Sequence, residues 1–377
     1  MTRPPLRLMI VSNGYGEDLI GAKLGGAFRT LDSSIEILPF PLIGTGAAYQ
    51  AKNFSPKTIS PVPKSGGFIR TAGDLIKDLR GGIISTLWDQ RRSIQHQSTS
   101  IDAIVAVGDV FCLMWATAGQ RRPTIFLPTA KSDLFMPHSA LEYCLIRRRA
   151  DWIFTRDTVT AEGFGRKGID AQFLGNPMMD GLVETPPLDR PIDTATLALL
   201  PGSRAECYGN FKLILLVLSH MPAARPFFGW ICLSPQVDRE SIYQILQAHG
   251  YTHSNGHWTD PNGMITLVLT PHFAAAVHAS DAVIGLAGTA NEQAAWLGKS
   301  VIAFPGTGAQ SRPQRFLEQR RLIGPQLRFV NSSDPKDIVN TVIHSLSLPQ
   351  LPPPSTQNAA VAIARHAMPL ILCSEIS

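Results

Sequence analysis

The second half of the sequence contains a short turn whose residue types are suited to binding an anion. Pro201-Gly-Ser-Arg204 directly follows the apolar run 197–200, which reads as a buried strand. A turn between a strand and a helix directs backbone N–H groups and the positive end of the helix dipole at one place, and an arginine adds donors that fit phosphate. Gly202, Ser203 and Arg204 are therefore predicted to bind an anion, although an ordinary surface turn has the same sequence.

A second turn of this kind lies further along the chain. Residues 281–287 read as a strand, a turn then leads into a helix, and 301–304 read as the next strand, which makes a βαβ unit. A carboxylate or amide one turn into that helix could hold the hydroxyls of a ribose. The candidates are Gly288, Thr289, Ala290 and either Glu292 or Gln293. Two such turns predict a nucleoside diphosphate, and without a Walker lysine or a dinucleotide fingerprint they do not favour ATP hydrolysis or hydride transfer.

These turns need a scaffold, and apolar runs that alternate with helix-like segments supply one. The strand-like runs are 8–11, 35–38, 103–107, 124–127, 152–155 and 171–174 in the first half and 197–200, 228–233, 265–269, 282–286 and 301–304 in the second. Short apolar strands separated by helices are typical of a mostly parallel sheet wound on both faces. We therefore predict an α/β fold of two Rossmann-like, doubly wound domains that face each other across a cleft, with ligands at the carboxyl ends of the strands.

Proline-rich segments mark the limits of the predicted domains. Residues 184–193 have the proline density of a linker, and 348–355 form a second proline-rich connector. The predicted organisation is an N-terminal domain over 1–183, a C-terminal domain with both turns over 184–347, and a connector with a closing helix over 348–377.

Composition narrows the class of protein. The chain has 377 residues, of which 44% are hydrophobic and 17% charged, which is typical of a globular protein of two ordinary domains. Its five cysteines form no Cys-x-x-Cys pair and leave one over, which favours a reducing compartment. The first apolar run is too short for a signal peptide, and no run reaches the ~20 residues of a bilayer span. We expect a cytoplasmic protein that is soluble or peripheral to a membrane.

Charge and histidine spacing give little support to nucleic-acid or metal binding. The net charge is +5, but the basic residues do not alternate with aromatic ones as in a nucleic-acid-binding module. His253 and His257 have a zinc-like spacing without the other ligands that zinc requires. Neither nucleic acid nor a metal is therefore expected to bind.

One segment, 66–93, combines an apolar stripe with a basic fringe. Its candidate membrane contacts are Phe68, Ile69 and Trp88. A helix with this pattern either lies at a membrane surface or covers a sheet in the ordinary way. Both interpretations stay open from the residues alone.

Four motifs in a fixed order resemble the lipid-A-disaccharide synthase family of glycosyltransferases. They are Asp18-Leu-Ile-Gly-Ala22, Phe173-Leu-Gly-Asn-Pro-Met-Met-Asp180, Leu200-Pro-Gly-Ser-Arg204 and the Gly288-Thr-Ala290 turn with its acidic helix, and the resemblance covers roughly residues 6–330. It implies a GT-B fold, with a UDP-sugar donor held mainly by the second domain. It also implies that the first domain holds a lipid or lipid-linked acceptor and that the region corresponding to 66–93 docks on the inner leaflet of the membrane. Catalysis would need no metal or other cofactor.

The sequence departs from that family at two motifs. The family's Ser-Gly-Asp appears here as Gly16-Glu17-Asp18, and its Leu-Glu after the Gly-Thr-Ala turn appears as Glu292-Gln293. The second departure is also similar to sugar-nucleotide 2-epimerases, which share the fold and carry an acidic pair there. A divergent relative with its own substrates is therefore expected.

Sugar transfer from UDP needs two kinds of group. The charge on the leaving diphosphate must be stabilised, and the acceptor hydroxyl must lose its proton. Because the chain has no Asp-x-Asp motif, we expect Arg204 and the helix after the second turn to perform the first task without a metal. The candidate bases are Asp109, which lies where the family places its essential aspartate, and Glu17; His138 and His272 are weaker candidates. Asp109 would otherwise be a helix N-cap, and Glu17 a first-turn acid that complements a helix dipole.

Three further residues complete the predicted site. Gly14 and Asp18 are predicted to contact the acceptor, and Gln314, in the loop after the last core strand, is predicted to contact the donor sugar. The main hypothesis is a hexosyltransferase that moves a sugar from a UDP-sugar to a lipid or lipid-linked acceptor at the cytoplasmic membrane face. The alternatives are a sugar-nucleotide 2-epimerase or hydrolase of the same fold, and a nucleotide-sugar-binding protein without catalysis.

Overall fold

The chain divides into two compact units. The computed structural model describes residues 5–57, 83–223, 225–308, 311–349, 351–352 and 358–374. Unit 1 consists of Met1–Asp180 with Gln357–Ser377, and unit 2 of Gly181–Thr356. The division thus falls after residue 180 rather than 183, and the closing helix belongs to unit 1 instead of a separate segment.

Unit 1 is built around a parallel sheet. Its elements are β1 (Arg7–Ser12), α1 (Tyr15–Leu31), β2 (Glu36–Pro41), α2 (Ala47–Gln50), α3 (Ile83–Gln97), β3 (Ala103–Gly108), α4 (Val110–Ala116), β4 (Thr124–Pro128), α5 (Ala140–Arg149), β5 (Trp152–Ile153), α6 (Thr158–Arg166) and the closing helix α13 (Ala359–Ser374). Among the described residues the strands lie in the order β2-β1-β3-β4-β5, and every pairing is parallel. The predicted strand 171–174 is wrong, because only an isolated bridge joins Phe154 to Gln172 there.

Alternate residues of these strands fill two separate cores. In β1, Leu8 and Ile10 pack with α1 and α13, whereas Met9 and Val11 pack on the other face with α3, α4 and α5. Successive side chains of a strand point to opposite faces, so an apolar run without alternation indicates a strand covered on both sides. Asp180 accepts from the backbone N–H of Ala359 at 2.9 Å, which fixes the start of α13 within unit 1.

Unit 2 is a larger sheet with an antiparallel edge. Its elements are β6 (Ala195–Leu200), α7 (Cys207–Leu218), β7 (Phe227–Cys232), α8 (Arg239–Ala248), β8 (Thr252–Ser254), β9 (His257–Thr259), β10 (Ile265–Thr270), α9 (Phe273–Ala279), β11 (Ala282–Gly285), α10 (Thr289–Trp296), β12 (Val301–Ala303), α11 (Pro313–Ile323), β13 (Leu327–Phe329) and α12 (Pro335–Leu346). In the described part of this unit the order is β13-β12-β11-β6-β7-β10-β9-β8. No pattern in the sequence predicts the short edge strands β8 and β13, or the short β9 that pairs with β8.

The strand orders show where each unit can bind a ligand. The chain reverses its direction across the sheet between β1 and β3 in unit 1, and between β6 and β11 in unit 2. In open α/β sheets, ligands bind beyond the carboxyl ends of the strands at such a point. The loops after β1 and β3 and the loops after β6 and β11 are therefore the candidate sites.

Candidate functional site

The loop after β6 has the backbone shape of a tight binding turn. It runs from Pro201 to Glu206, the N-cap of α7. Gly202 has a φ of +111°, a conformation that L side chains rarely adopt, so this position requires glycine. Ser203 is exposed and Arg204 is half-buried. The three predicted residues therefore lie together at the carboxyl end of β6.

The loop after β11 presents the N-terminus of α10. Gly288 is its N-cap, and no side chain of the described residues caps the helix there. Gln319 of α11 donates to the carbonyls of Ala287 and Gly288 at 3.2 Å each, which holds the turn from the inner side. Thr289 is exposed and Ala290 half-buried. This helix start, with β6 and β11 as neighbouring strands, has the form of a phosphate site.

The structure separates the two candidates for the ribose contact. Gln293 is 8% exposed on the inner side of α10, whereas Glu292 is half-buried on the outer side. Glu292 therefore has more surface to offer a ligand than Gln293. Gln314 is exposed in the first turn of α11.

A buried amide that the sequence analysis missed connects these loops. Asn210 of α7 donates through Nδ2 to the Pro201 carbonyl at 3.0 Å and to Ser311 Oγ at 3.1 Å. Its Oδ1 accepts from the backbone N–H of Thr307 at 2.7 Å. Ser311 Oγ in turn donates to the Leu286 carbonyl at 3.1 Å. One side chain and one hydroxyl thus join the loops after β6, β11 and β12.

Unit 2 also contains an open cavity of about 490 Å³ at the carboxyl end of β10. It is lined by Thr185, Pro186, Pro187, Leu188, His272, Phe273, Ala274 and Ala275. Strands β6 and β10 are separated by β7, so the cavity lies roughly 10 Å from the end of β6 along the same edge of the sheet.

In unit 1, Asp109 occupies the carboxyl end of β3. Its Oδ1 accepts from the backbone N–H of Cys112 at 2.9 Å and from Asn13 Nδ2 at 2.7 Å. Asp109 is therefore the N-cap of α4, as its structural interpretation predicted, and it is also held by the loop after β1. Burial raises the pKa of this carboxyl, while the two hydrogen bonds oppose the rise.

Glu17 lies at the same edge, in the first turn of α1. Burial raises its pKa most, the nearby charge of Asp109 raises it further, and the charge of Arg156 lowers it. Thr129 Oγ1 is 3.5 Å from its Oε1. A Cβ at Gly14 would lie 2.3 Å from Glu17 Oε2, so glycine there lets the carboxyl fold back over the loop. Two carboxyls, an arginine and a threonine hydroxyl therefore share this edge.

Asp18 does not have the exposed position predicted for an acceptor contact. It is 1% exposed, and its Oδ1 accepts from Ser12 Oγ at 2.6 Å. Ser12 Oγ is also 2.8 Å from the hydroxyl of the buried Tyr49, while Asp18 Oδ2 has no hydrogen-bond partner among the described residues. Burial raises the pKa of Asp18 to about 7. The acceptor contact at Asp18 is thus corrected to a buried carboxyl beneath the loop.

His138 is also unsuited to act as a base on a bound molecule. It is 7% exposed, and its ring packs against Phe164 and Tyr143 with centroids 5.1 and 5.6 Å apart. Burial lowers its pKa to about 4, so the imidazole is neutral near pH 7. It belongs to the aromatic core under α5.

The predicted membrane segment is described only in part. Phe68 and Ile69 lie outside the described residues, whereas Trp88 of α3 is 59% exposed. On the neighbouring helix α4, the ring of Phe111 stacks on Trp115 at 4.1 Å, and the Arg91 guanidinium lies 6.0 Å from the Trp115 ring. Within the ranges that the structure describes, no helix combines the length and apolar character of a membrane span, and no cluster of three metal-ligating residues occurs.

Comparison with known proteins gives structural but not sequence likeness. No protein-family model and no curated protein matches the sequence. The UDP-GlcNAc 2-epimerase of Neisseria meningitidis, bound to UDP-GlcNAc, matches with a TM-score of 0.61 and 13% identity over 97% of this chain and 100% of that one. MnaA of S. aureus with UDP matches with a TM-score of 0.60 and 13% identity, over 98% of this chain and 97% of that one. MurG of Acinetobacter baumannii matches with a TM-score of 0.54 and 13% identity, over 98% of this chain and 100% of that one. The chain therefore has the two-domain α/β fold called GT-B, with largely parallel sheets, as the sequence predicted.

Proposed function

We propose that the chain is an enzyme that binds a UDP-sugar in unit 2 and acts on the sugar, with inversion at carbon 2 of a UDP-N-acetylhexosamine as the leading reaction. The observation that carries this proposal is the pair of small-residue turns on the neighbouring strands β6 and β11, linked by Asn210 and Ser311. The whole-length likeness to structures of UDP-GlcNAc 2-epimerases supports it.

The residues of unit 2 suit the parts of such a ligand. The diphosphate would lie at the N-terminus of α10, where backbone N–H groups and the helix dipole favour negative charge, with Arg204 on the opposite turn. Glu292 could accept hydrogen bonds from the ribose hydroxyls. The cavity beside His272 and Phe273 is on the same edge of the sheet and offers an apolar surface for the base.

Unit 1 supplies groups that can exchange protons. Inversion at a carbon that bears hydrogen requires a proton to leave on one face and return on the other, which calls for an acid and a base. Glu17 and Asp109 are half-buried, and the loss of solvent around them raises the pKa of each carboxyl toward neutral pH. These two carboxyls are therefore the candidate acid and base that unit 1 contains.

Glycosyl transfer to a lipid or lipid-linked acceptor is the second candidate, in line with the resemblance to lipid-A-disaccharide synthases. The observation that favours it is the aromatic surface of α3 and α4, where Trp88 and Phe111 are exposed and the Arg91 guanidinium lies over the Trp115 ring. Apolar rings with a basic neighbour are typical of surfaces that meet anionic lipid. This candidate would place the protein at the cytoplasmic face of a membrane.

Thermal stabilisation by nucleotides is the first test of donor binding. UDP and UDP-sugars should raise the melting temperature of the wild type more than GDP, dTDP or CMP, because a ligand that binds the folded state stabilises it by mass action. Arg204→Ala should lose this shift. Arg225→Ala is the matched control, since Arg225 is exposed just before β7, at the opposite edge of the sheet. No shift with any uridine nucleotide would refute the proposal.

The reaction is then assigned by two product assays on the same preparation. Incubation with UDP-GlcNAc in D2O should exchange the hydrogen on carbon 2 and yield the 2-epimer if the chain is an epimerase. UDP release that depends on added lipid vesicles with an acceptor glycolipid would instead establish the transferase. Binding without either product would leave a nucleotide-sugar-binding protein.

A further inference from the structure

Asn210 is a buried polar side chain of unit 2 whose two donors and amide oxygen all have partners. The side chain is fully buried in the first turn of α7. Nδ2 donates to Pro201 and Ser311, and Oδ1 accepts from the N–H of Thr307 and lies 3.0 Å from Thr307 Oγ1. An asparagine has two donors and two lone pairs to offer, so this orientation of the amide is determined by its partners.

The contacts also show how little room the arrangement leaves. A Cβ at Gly306 would lie 2.6 Å from Asn210 Oδ1, and one at Gly209 would lie 2.6 Å from Thr307 Oγ1. The backbone N–H of Gly306 donates to the Ser311 carbonyl at 2.9 Å, which closes the loop after β12 upon itself. The loop is therefore held against α7 at one distance.

Ser311 extends the connection to the turn before α10. Its hydroxyl accepts from Asn210 and donates to the Leu286 carbonyl, and Leu286 N–H donates to the Leu200 carbonyl at 2.9 Å. The chain of bonds thus runs from the Pro201 turn through Asn210 and Ser311 to the strand end that precedes Gly288. Buried networks in which every member is satisfied fix one geometry.

We propose that Asn210 and Ser311 are positioning residues that set the distance between the Gly202–Arg204 turn and the N-terminus of α10, and so give the site its preference for a diphosphate over a monophosphate. This inference rests on the proposed function. A diphosphate bridges the two turns and gains from their correct spacing, whereas a monophosphate needs only one of them. Neither residue has to touch the ligand for this effect.

The test compares the affinities of UDP and UMP by calorimetry on the full chain. Ser311→Ala removes the link to Leu286. Thr307→Val keeps the size of the side chain and the backbone bond to Asn210 but removes the hydroxyl that lies 3.0 Å from both Asn210 Oδ1 and the Glu206 carbonyl. Each should lower the UDP-to-UMP affinity ratio by about 2- to 10-fold, the equivalent of one hydrogen bond. Asn210→Asp replaces both donors with a carboxylate oxygen facing the Pro201 carbonyl and should lower the ratio further.

The matched control is Ser280→Ala. Ser280 is also fully buried in unit 2, and its hydroxyl donates to Ala276 at 2.7 Å near the end of α9, away from both turns. It should leave the ratio unchanged even where stability falls. If Ser311→Ala and Thr307→Val fold and keep the wild-type ratio, the inference is overturned while the proposed function stands. If the wild type binds neither nucleotide, both are overturned.

Discussion

The carboxyl edges of the two sheets use different kinds of buried polar side chain. In unit 1 the loop after β3 contains Asp109 and the first turn of α1 contains Asp18, and the pKa values of both are raised chiefly by burial. In unit 2 the corresponding loops are joined by neutral groups, namely Asn210, Ser311 and Gln319. One edge therefore contains carboxyls whose pKa values are raised above their usual range, and the other is held together by side chains that do not titrate.

This difference fits a division of labour between chemistry and binding. A preformed anion site gains from loops that are fixed before the ligand arrives, because less ordering then opposes binding. Neutral amides provide this without the cost of burying charge. Acid–base catalysis instead gains from carboxyls whose pKa values lie near the working pH. The comparison predicts that carboxyl variants change turnover and pH dependence, while amide variants change ligand affinity.

The largest effect is expected from Asp109→Asn. Asparagine is as good an N-cap as aspartate, so α4 and the fold should be kept, while the ionisable group is lost. Turnover should fall roughly 100- to 10,000-fold, the usual contribution of general acid–base catalysis. UDP affinity should stay at the wild-type value, since the proposed donor site is in unit 2. Turnover assays with calorimetry check both; full activity would leave Asp109 as a helix cap only.

Asp18→Asn should change how stability depends on pH. The pKa of Asp18 is about 7 in the folded protein against a usual 3.8, so the folded state binds the extra proton between those values. Wild-type stability should therefore decline as pH rises from 4 to 7, by about 1.4 kcal/mol per pH unit from this group. The asparagine variant lacks this decline, so its free energy of unfolding relative to that of the wild type should be higher at pH 8 than at pH 5. Chemical denaturation at both pH values measures the gain, and an equal difference at both would contradict it.

His138→Phe should change the pH dependence of stability in the opposite direction to Asp18→Asn and by a somewhat smaller amount. The pKa of His138 is about 4 when folded against a usual 6.5, so the unfolded state binds the extra proton between these values. Wild-type stability from this group is complete above pH 6.5 and is lost as pH falls toward 4. Phenylalanine fits a ring beside Tyr143 and Phe164 and cannot be protonated. The variant should therefore resist acid better than the wild type in melts at pH 5, and equal acid sensitivity would contradict the prediction.

The two loops of unit 2 were predictable from sequence because each consists of local signals. An apolar run followed by Pro-Gly-Ser-Arg or Gly-Thr-Ala gives strand, turn and helix within one short stretch. The same local reasoning failed for residues 171–174, where apolar residues occur without a parallel neighbour beyond one bridge. It also missed β8 and β9, which are short and form a hairpin at the edge of the sheet.

The buried polar contacts were missed because their partners are distant in sequence. Asn210 is separated from Ser311 by 101 residues, so no local pattern connects them. A signal nevertheless exists, since Asn210 occupies the same helical face as the buried Phe211 and Ile214. Asp18 likewise lies one turn before the buried Gly21 and Ala22. A polar residue at an inward helical position indicates a buried hydrogen bond, and this would have moved Asp18 from the acceptor site to the core.

The smallest effect is expected from alanine substitutions at two glycines of α1, Gly21 and Gly26. A Cβ at Gly21 would lie 2.0 Å from the hydroxyl of Tyr49, whereas one at Gly26 would meet nothing within 4 Å. Gly21→Ala should cost about 1–3 kcal/mol, because the buried Tyr49 must shift and release Ser12 and Asp18. Gly26→Ala should stabilise α1 by about 0.5–1 kcal/mol through its better helix propensity. If the buried carboxyl depends on Tyr49, Gly21→Ala should also alter the pH dependence of denaturation that Asp18 causes, and Gly26→Ala should not. An unchanged pH dependence in both variants would show that Ser12 holds Asp18 without help from Tyr49.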